Sequence, residues 1–418
     1  MQKLLNTFEA LEQIQIPYCI LRDGDRLHEY DQGGEVDLLV PKEYLSQLEK
    51  LLRDFGFAKV PAWGHSPHHF FVACHDDPDY WIKLDVVTAI AYGNPIHALY
   101  TELADSCLKN RRRCGRVYVP CAADEFITLL LHCVLDKGYI APHRGRRLGT
   151  LLDQIEDETY LSQLVAEYWV PNTAWDKLAE PIKNEDWQEL LDQRRLVEQR
   201  LVGQQVLAVG GRHIRDRFLR KFQRLFGYIR PRTPAVALLA PDGAGKSTLA
   251  RGLEQNFYFP VNLLYMGLYQ NKRRTSSNKI MGLGLAQNLF TQWQRYALSR
   301  HYRAKGRLVI FDRYTYDALL PKTYGSSVMG KLRRMRRWLL AHSCPPPDLI
   351  LFLDAPGELL FARKYERSPV ELEAQRQQYL RLQSKLPQMV VLDASKGAKS
   401  VRHEATGLIW QKYAQQVG

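Results

Sequence analysis

The chain has 418 residues, of which 45% are hydrophobic and 25% are charged. A chain of this length and composition buries more than one core, so it predicts two domains with a connector and excludes a disordered or fibrous protein. The formal net charge of +13 fits nucleic acid, an anionic membrane surface or phosphorylated substrates as partners, and by itself it does not choose among them.

The cysteines and the amino-terminal sequence indicate the compartment. The 7 cysteines include no C-x-x-C pair, which argues against a zinc ribbon or a disulfide framework and favours reduced thiols. Glu9 and Glu12 interrupt the amino-terminal apolar pattern, and no apolar run reaches the roughly 18 residues of a membrane span. We therefore expect a soluble, cytoplasmic protein.

The first 90 residues alternate between helical and strand periodicity. The predicted elements are helices at 3–14 and 42–55 and strands at 17–21, 33–40, 69–73 and 81–87. Glu35 and Asp37 occupy alternate positions of one strand and therefore point to the same face, and Asp85 lies on the last of these strands. Three carboxylates on neighbouring strands are the oxygen ligands that a two-Mg²⁺ site needs.

This carboxylate pattern, [DE]-h-[DE]-h (where h is an apolar residue) with a later Asp, resembles the polymerase-β-type nucleotidyltransferase superfamily over roughly residues 1–140. The resemblance implies an α+β domain in which Glu35, Asp37 and Asp85 are metal ligands. Family members carry a Gly-Ser pair before the carboxylates to hold the triphosphate, whereas this chain has Leu21-Arg22 there. The alternative is that the carboxylates lie on the solvated face of an ordinary strand.

A capped amphipathic helix is predicted at 124–135, and helical segments continue to about residue 195. His132, Asp136 and Lys137 lie at the end of this helix, where polar groups usually complement the helix dipole. Four further histidines match no strong metal-ligand spacing, and we therefore predict that they are loop residues: His65, His68, His69 and His75.

Residues 183–232 form a predicted basic connector, and Pro231 and Pro234 mark the boundary with the domain that follows. Its last helix carries apolar residues on one face (Ile214, Phe218, Leu219, Phe222, Leu225 and Phe226) and basic residues on the other (Arg212, Arg215, Arg217, Arg220, Lys221 and Arg224). Such a helix can lie on an anionic membrane or bind an acidic partner. More often it packs through its apolar face and leaves the charged face in solvent.

A phosphate-binding loop follows the connector. An apolar strand at 236–239 leads to a turn with Gly243 and Gly245, and a helix opens after Lys246 and Ser247. Glycines let backbone N–H groups converge on phosphate oxygens, and the helix amino terminus adds partial positive charge. The pattern G-x-x-x-x-G-K-[ST] is met except at its first position, where Ala240 stands. Lys246 is expected to reach the β- and γ-phosphates of ATP, and Ser247 to bind Mg²⁺.

The sequence after the loop repeats the alternation of strands and helices. A buried strand at 308–312 ends in Asp312, a second strand at 348–354 precedes a Pro-Gly turn, and a third at 389–392 precedes Asp393. A carboxylate at the end of such a strand reaches the Mg²⁺ shell in nucleotide-binding proteins.

Together, APDGAGKST, FDRY, PDLILFLDAP, ARKYER and LDAS resemble the thymidylate kinase branch of the P-loop nucleoside-monophosphate kinases over about residues 233–418. The resemblance implies a parallel sheet with helices on both faces. It also implies Arg313 on the acceptor phosphate and a basic lid over the transferred phosphoryl group (Arg363, Lys364 and Arg367). The implied nucleotide-binding residues are Asp242, Gly243, Ala244, Gly245, Lys246, Ser247, Thr248, Ser395 and Lys396.

The acceptor is less defined than the donor. Thymidylate kinases carry Arg-Glu-Pro-Gly after the second strand, whereas this chain has Met266-Gly267 and then a basic segment, 268–274. The acceptor is therefore dTMP, another nucleotide, or a phosphorylated or hydroxylated sugar.

We thus predict an α/β protein with a nucleotidyltransferase-like domain (1–182), a connector (183–232) and a kinase-like domain (233–418). The leading hypothesis is an ATP- and Mg²⁺-dependent phosphotransferase acting on a small acceptor. The alternatives are a nucleotidyltransferase regulated by the P-loop domain and a nucleotide-gated binding protein on nucleic acid or membrane. No nucleic-acid-reading motif supports the last of these, and the connector helix is its only membrane-directed feature.

Overall fold

The structure is a computed structural model that describes residues 2–25, 34–60, 67–75, 77, 79–93, 97–170, 173, 175–203, 205–267, 283–320, 328–365 and 367–417. It divides into two compact units. The first comprises Met1–Ala73 and Trp81–Phe222, and the second comprises Cys74–Tyr80 and Gln223–Gly418.

The first unit combines a mixed sheet with two small hairpins and many helices. Its strands are β1 (Cys19–Ile20), β2 (Gly34–Leu39), β3 (Ala58–Lys59), β4 (His68–Cys74), β5 (Trp81–Val87), β6 (Ala91–Tyr92), β7 (Leu99–Tyr100), β8 (Arg112–Cys114) and β9 (Val117–Val119). Its helices are α1 (Gln2–Gln13), α2 (Leu45–Asp54), α3 (Leu103–Lys109), α4 (Ala122–Leu131), α5 (Pro142–Gln154), α6 (Glu158–Tyr168), α7 (Trp175–Lys183), α8 (Trp187–Asp192) and α9 (Arg194–Gly203).

The strands of the main sheet have the order β1-β2-β5-β4-β3. β1 is antiparallel to β2, and β2 is parallel to β5, with Asp37 directly opposite Asp85. Val36 and Leu38 pack with residues of α1 and α2 in one core. Because side chains alternate along a strand, Glu35 and Asp37 lie on the opposite face. The predicted helices at 3–14 and 42–55 and the strands around Asp37 and Asp85 are confirmed.

The predicted helix at 124–135 changes geometry near its end. α4 is regular to Leu131, and a π-helical turn, His132–Lys137, continues it. Gly138, with a φ of 73°, ends this turn. π-helical turns are rare and frequently lie at functional sites because they redirect side chains by about one position.

The second unit contains a parallel sheet. Its strands are β10 (Ala235–Leu239), β11 (Val261–Tyr265), β12 (Leu308–Asp312), β13 (Leu349–Asp354) and β14 (Met389–Asp393). Helix α10 (Val206–Ile229) begins in the first unit and ends in the second. The remaining helices are α11 (Lys246–Asn256), α12 (Leu283–Ala304), α13 (Val328–Ala341), α14 (Gly357–Arg363), α15 (Pro369–Leu380) and α16 (Ala398–Val417).

The strands of this sheet have the order β11-β12-β10-β13-β14, and all neighbours are parallel. Ala237 and Leu239 pack in a core with Tyr296 of α12 and Tyr379 of α15. Val236 and Leu238 alternate with them and are fully buried on the other face, and α11 and α16, which are outside this core, also contact the strands. Helices therefore cover both faces, as predicted. Strand order reverses at β10, and ligands of open parallel sheets bind at the carboxyl ends of strands around such a point.

Helix α10 packs through its polar side. Val209 and Asp216 are buried, whereas Ile214 and Phe218 are each 67% exposed. Arg215, Arg217 and Lys221 are exposed, as predicted for the charged face. The prediction that the helix packs through its apolar face is wrong, because periodicity identifies two faces without saying which one meets the protein. Across the described ranges, no helix has both the length and the apolar character needed to cross a membrane.

Candidate functional sites

A cavity of about 650 Å³ lies at the carboxyl ends of β10, β12 and β13 in the second unit. The phosphate-binding loop forms one wall. Gly243 and Gly245 have φ angles of 86° and 92°, which L-residues with a Cβ rarely adopt. These conformations aim the loop backbone at the cavity and bring it to the start of α11, whose first residue is Lys246. The lining includes the predicted loop residues Asp242, Gly243, Ala244, Gly245, Lys246, Ser247 and Thr248.

Lys246 folds back over the loop. Its Nζ donates to the carbonyl oxygens of Ala240 and Pro241, at 2.9 and 3.0 Å. Burial and the neighbouring Arg313 guanidinium lower the pKa of this ammonium group to about 8. A bound phosphate would stabilise the charged form of Lys246 and would compete with the two carbonyl oxygens for its hydrogen bonds.

Asp312 is the last residue of β12 and Arg313 follows it, and both line the cavity. Arg313 has a φ of 65°, a strained conformation for a residue with a Cβ. Its guanidinium donates to Asp242 of the loop at 2.7 Å and lies 3.5 Å from Asp317. These two carboxylates hold the side chain, so the backbone strain is maintained by specific contacts.

Asp317 and Tyr379 form a network that holds the side chain of Arg313, and the sequence did not predict it. The Tyr379 hydroxyl donates to Asp317 at 2.9 Å, and Tyr379 is fully buried. Burial raises the pKa of Asp317, although Arg313 and Tyr379 oppose that effect. The sequence D-R-x-x-x-D could have predicted this contact, because it places Asp317 one helical turn after Arg313.

The structure brings most of the predicted basic residues to the same cavity. Arg363, Lys364 and Lys396 line it, and Arg363 also donates to the carbonyl of Ala394 at 2.9 Å. Arg367 does not line it, and its half-exposed side chain lies 3.7 Å from Asp242. Ser395 turns away to bond Asp393. The acceptor segment 268–274, together with Gly33 and His65, lies outside the described residues.

Ser247 and Asp312 both line the cavity and both offer oxygen, the donor that Mg²⁺ prefers. Asp354, the acid that ends β13, accepts hydrogen bonds from Nε and Nη2 of Arg376 at 2.6 and 2.9 Å. Asp312 is thus a better candidate for the metal than Asp354, and the residues around the loop fit a magnesium nucleotide.

A second cavity, of about 370 Å³, lies in the first unit, where Glu35, Asp37 and Asp85 converge. One carboxylate oxygen from each residue lies within 4.8 Å of the others. Asp37 and Asp85 meet because β2 and β5 are parallel and in register. The predicted convergence on one face is confirmed, and among the described residues this cluster has the geometry for a divalent cation.

Each of these carboxylates already has a basic partner. Arg22 lies 2.8 Å from Asp37, Lys83 lies 2.5 Å from Glu35, and His68 lies 3.0 Å from Asp85. Burial alone would lower the pKa of His68, but the hydrogen bond with Asp85 and its charge raise it. A metal ion must therefore compete with three basic side chains. Contrary to the prediction that they are loop residues, His68 and His69 lie in β4, and His68 lines the cavity. The strand begins one residue earlier than its apolar pattern shows.

The π-helical turn adds an Asp-His pair to the wall of this cavity. His132 Nδ1 lies 2.9 Å from Asp136, which also accepts the backbone N–H of Gly93 at 2.8 Å. Burial, with the charge of Arg22, lowers the pKa of His132 to about 4, so its imidazole is neutral at pH 7. If Nδ1 carries the proton toward Asp136, Nε2 is an acceptor. The helix-end role predicted for this pair accounts for neither its burial nor its position in the cavity.

Comparison with known protein families found no matching family. One curated relative, the deoxyguanosine kinase of Bacillus subtilis (strain 168), is 28% identical over 142 residues, which are 32% of this chain and 67% of the relative.

Two solved structures are similar over part of the chain. Thymidylate kinase from Candida albicans shares 19% identity with a TM-score of 0.35, covering 44% of this chain and 94% of that one. Deoxyadenosine kinase from M. mycoides, with bound dATP, shares 15% identity with a TM-score of 0.30, covering 42% and 98%. TM-scores of this size do not assign a function. The curated likeness, together with the parallel sheet and its phosphate loop, supports a kinase-like P-loop domain in part of the chain.

Proposed function

We propose that the second unit transfers the γ-phosphoryl group of ATP to a small nucleoside, nucleotide or sugar-type acceptor, with Mg²⁺ as cofactor. The observation that carries the proposal is the convergence of Lys246, Asp312, Arg313 and Arg363 on one cavity beside a phosphate loop. Phosphoryl transfer needs positioning and positive charge around the phosphate oxygens more than it needs covalent help. The cavity supplies both.

The roles follow from the positions of the side chains. The backbone N–H groups of the loop and Lys246 bind the donor phosphates. Ser247 and Asp312 would hold Mg²⁺, and a bound Mg²⁺ would neutralise charge on the phosphates. Arg313 orients the acceptor, and Arg363 and Lys364 stabilise charge on the phosphoryl group in flight. Arg367, which lies beside Asp242, completes the lid only if its side chain turns inward from its half-exposed position.

Among these acceptors, the similarity to a deoxyguanosine kinase favours a nucleoside or nucleotide over a sugar. dTMP is expected to be a poor acceptor, because the segment after β11 lacks the Arg-Glu-Pro-Gly residues of thymidylate kinases. Efficient and selective phosphorylation of dTMP would contradict this expectation.

ADP release from ATP·Mg²⁺ tests the proposal, with purine deoxynucleosides, dTMP and sugar phosphates as acceptors. Lys246→Ala is expected to lose turnover by about a hundredfold or more, because a phosphate-directed charge disappears from the transition state. Lys305→Ala removes an exposed lysine outside the cavity and is the matched control. Equal turnover of Lys246→Ala and wild type would reject the assignment.

The convergence of Glu35, Asp37 and Asp85 favours a second candidate function, nucleotidyl transfer in the first unit. Pyrophosphate release distinguishes it, since a kinase releases ADP instead. The measurement is made with the Lys246→Ala variant, in which the phosphate loop is expected to turn over no ATP. Asp37→Asn is expected to abolish pyrophosphate release, whereas Asp54→Asn, at an exposed position of α2, keeps it. Absence of pyrophosphate with every acceptor offered would leave this unit a scaffold.

A further inference from the structure

Helix α10 presents an apolar stripe to solvent. Ile214, Phe218, Leu225 and Ile229 follow one another at intervals of one or two helical turns and are 67%, 67%, 62% and 70% exposed. Near the start of the helix, Leu207 is 92% exposed. Surface hydrophobic residues are common singly, but a continuous row along 24 residues of one helix is not.

The opposite side of the helix is anchored. Val209 and Asp216 are buried, and Arg212 donates to the carbonyl of Ala98 at 2.9 Å while it stacks on the Tyr100 ring at 4.2 Å. A Cβ added to Gly227 would lie 2.8 Å from the carbonyl oxygen of Ala304. These contacts fix which side of the helix is turned outward, so the apolar stripe does not become buried by a simple rotation of the helix.

Basic side chains flank the stripe. Arg217 and Lys221, both exposed, lie on one edge at helical spacing, and Arg215, also exposed, lies on the other edge. This surface is complementary to a partner that offers anionic groups on both sides of an apolar region. A bilayer with anionic headgroups has that arrangement, because the headgroups meet the basic edges while the acyl chains accept the stripe.

A second copy of the chain fits the surface less well. Pairing two such stripes would bring the basic edges of both copies together, which is unfavourable. A stripe along a helix of this length is about 36 Å long and roughly 10 Å wide, which is less than half of the roughly 800 Å² per partner in a standard interface. The charge and the area therefore both favour a lipid surface.

We propose that α10 docks the protein peripherally on an anionic phospholipid bilayer, with Ile214, Phe218, Leu225 and Ile229 entering the headgroup region. The inference is independent of the activity of either cavity. The helix does not cross the bilayer, because its buried polar side stays with the protein.

Co-sedimentation of the full chain with vesicles tests the inference. Vesicles of phosphatidylcholine mixed with phosphatidylserine are expected to bind the wild type, and pure phosphatidylcholine vesicles to bind it at least tenfold more weakly. The double variant Ile214→Ser/Phe218→Ser is expected to lose binding by about tenfold or more. Arg217→Glu/Lys221→Glu should lose it as well, with a weaker dependence on salt for what remains.

Phe290→Ser is the matched control, because Phe290 is 64% exposed but lies on α12. It should bind vesicles like the wild type, and an unchanged thermal unfolding curve shows that each variant folds. Equal vesicle binding by the Ile214→Ser/Phe218→Ser variant and the wild type would overturn the proposal. A wild type that binds neither kind of vesicle would overturn it as well. If light scattering then shows that the wild type is a dimer and that the Ile214→Ser/Phe218→Ser variant is a monomer, the stripe is an interface between two copies.

Discussion

Gly243 lies so close to Leu360 that a Cβ on Gly243 would be 2.6 Å from the Leu360 carbonyl oxygen. The same glycine has a φ of 86°, so its conformation and its contact both exclude a side chain. The phosphate loop is thereby fixed against α14, the helix that carries Arg363. The loop and the basic residues that face it across the cavity are held by one close backbone contact.

Gly243→Ala is therefore expected to weaken ATP binding by about tenfold or more, because the left-handed conformation costs about 1–2 kcal/mol and the clash moves the loop. Titration calorimetry with ATP·Mg²⁺ measures the loss. Gly407→Ala is the control, since nothing lies within 4 Å of that Cβ and α16 gains a better helix former. If Gly243→Ala binds ATP like the wild type, the loop does not need this conformation.

Nucleotide binding at pH 8 is expected to take up about half a proton at Lys246. The free group has a pKa of about 8 because of burial and Arg313, and bound phosphates raise it again. Calorimetry in buffers of different ionisation enthalpy measures this uptake. Lys246→Arg keeps the charge but cannot titrate, so it should bind without the uptake. An identical uptake in the arginine variant would assign the proton to another group.

Tyr379→Phe is expected to lower turnover more than it weakens ATP binding. The lost hydroxyl donates to Asp317, which in turn holds Arg313, so the substitution loosens an acceptor-directed side chain without touching the donor phosphates. Steady-state kinetics separates kcat from the ATP KM. Tyr314→Phe removes another buried hydroxyl, one that donates to the Pro345 carbonyl outside this network. The hypothesis fails if both variants lose kcat equally.

The phosphate loop was predictable because its signal is local. Strand, glycines, Lys246 and helix are contiguous, and the alternation of strands and helices then predicts a parallel sheet, which the structure confirms. Alternation along β2 likewise predicted that Glu35 and Asp37 share a face. The partners of these carboxylates were not predictable, because Arg22 and His68 reach them only through the order of the strands. The orientation of α10 was hidden for the same reason, since which face packs depends on distant parts of the chain.

The depressed pKa of His132 predicts a pH-dependent stability of the first unit. Burial, with Arg22, lowers it to about 4, whereas the unfolded chain takes up this proton below about pH 6.5. The unfolded state therefore binds more protons between these values, and stability falls as the pH falls through that window. His132 should account for about 2 kcal/mol of the loss between pH 7 and pH 5.

Chemical denaturation of the wild type and of His132→Gln at both pH values measures this contribution. The variant should lose less stability on acidification, because its side chain does not titrate. His143→Gln, at an exposed position of α5, should keep the wild-type dependence. Identical pH dependence in His132→Gln and the wild type would show that the imidazole is not held neutral.

Arg22→Ala is expected to tighten the binding of Mn²⁺ at the carboxylate cluster by about tenfold, a size that removal of one nearby opposing charge can produce. Arg22 lies 2.8 Å from Asp37, and both side chains are less than one-third exposed, so solvent screens their attraction incompletely. A cation that binds Asp37 must displace this guanidinium or share the carboxylate with it.

Electron paramagnetic resonance of free Mn²⁺ measures the affinity, and the sites lost in Asp37→Asn identify the cluster. Lys59→Ala breaks an ion pair with Glu49 elsewhere in the same unit and should leave Mn²⁺ binding unchanged. Weaker Mn²⁺ binding in Arg22→Ala would instead mean that the guanidinium holds Asp37 in position for the metal, and that the pair is part of the ligand set rather than its competitor.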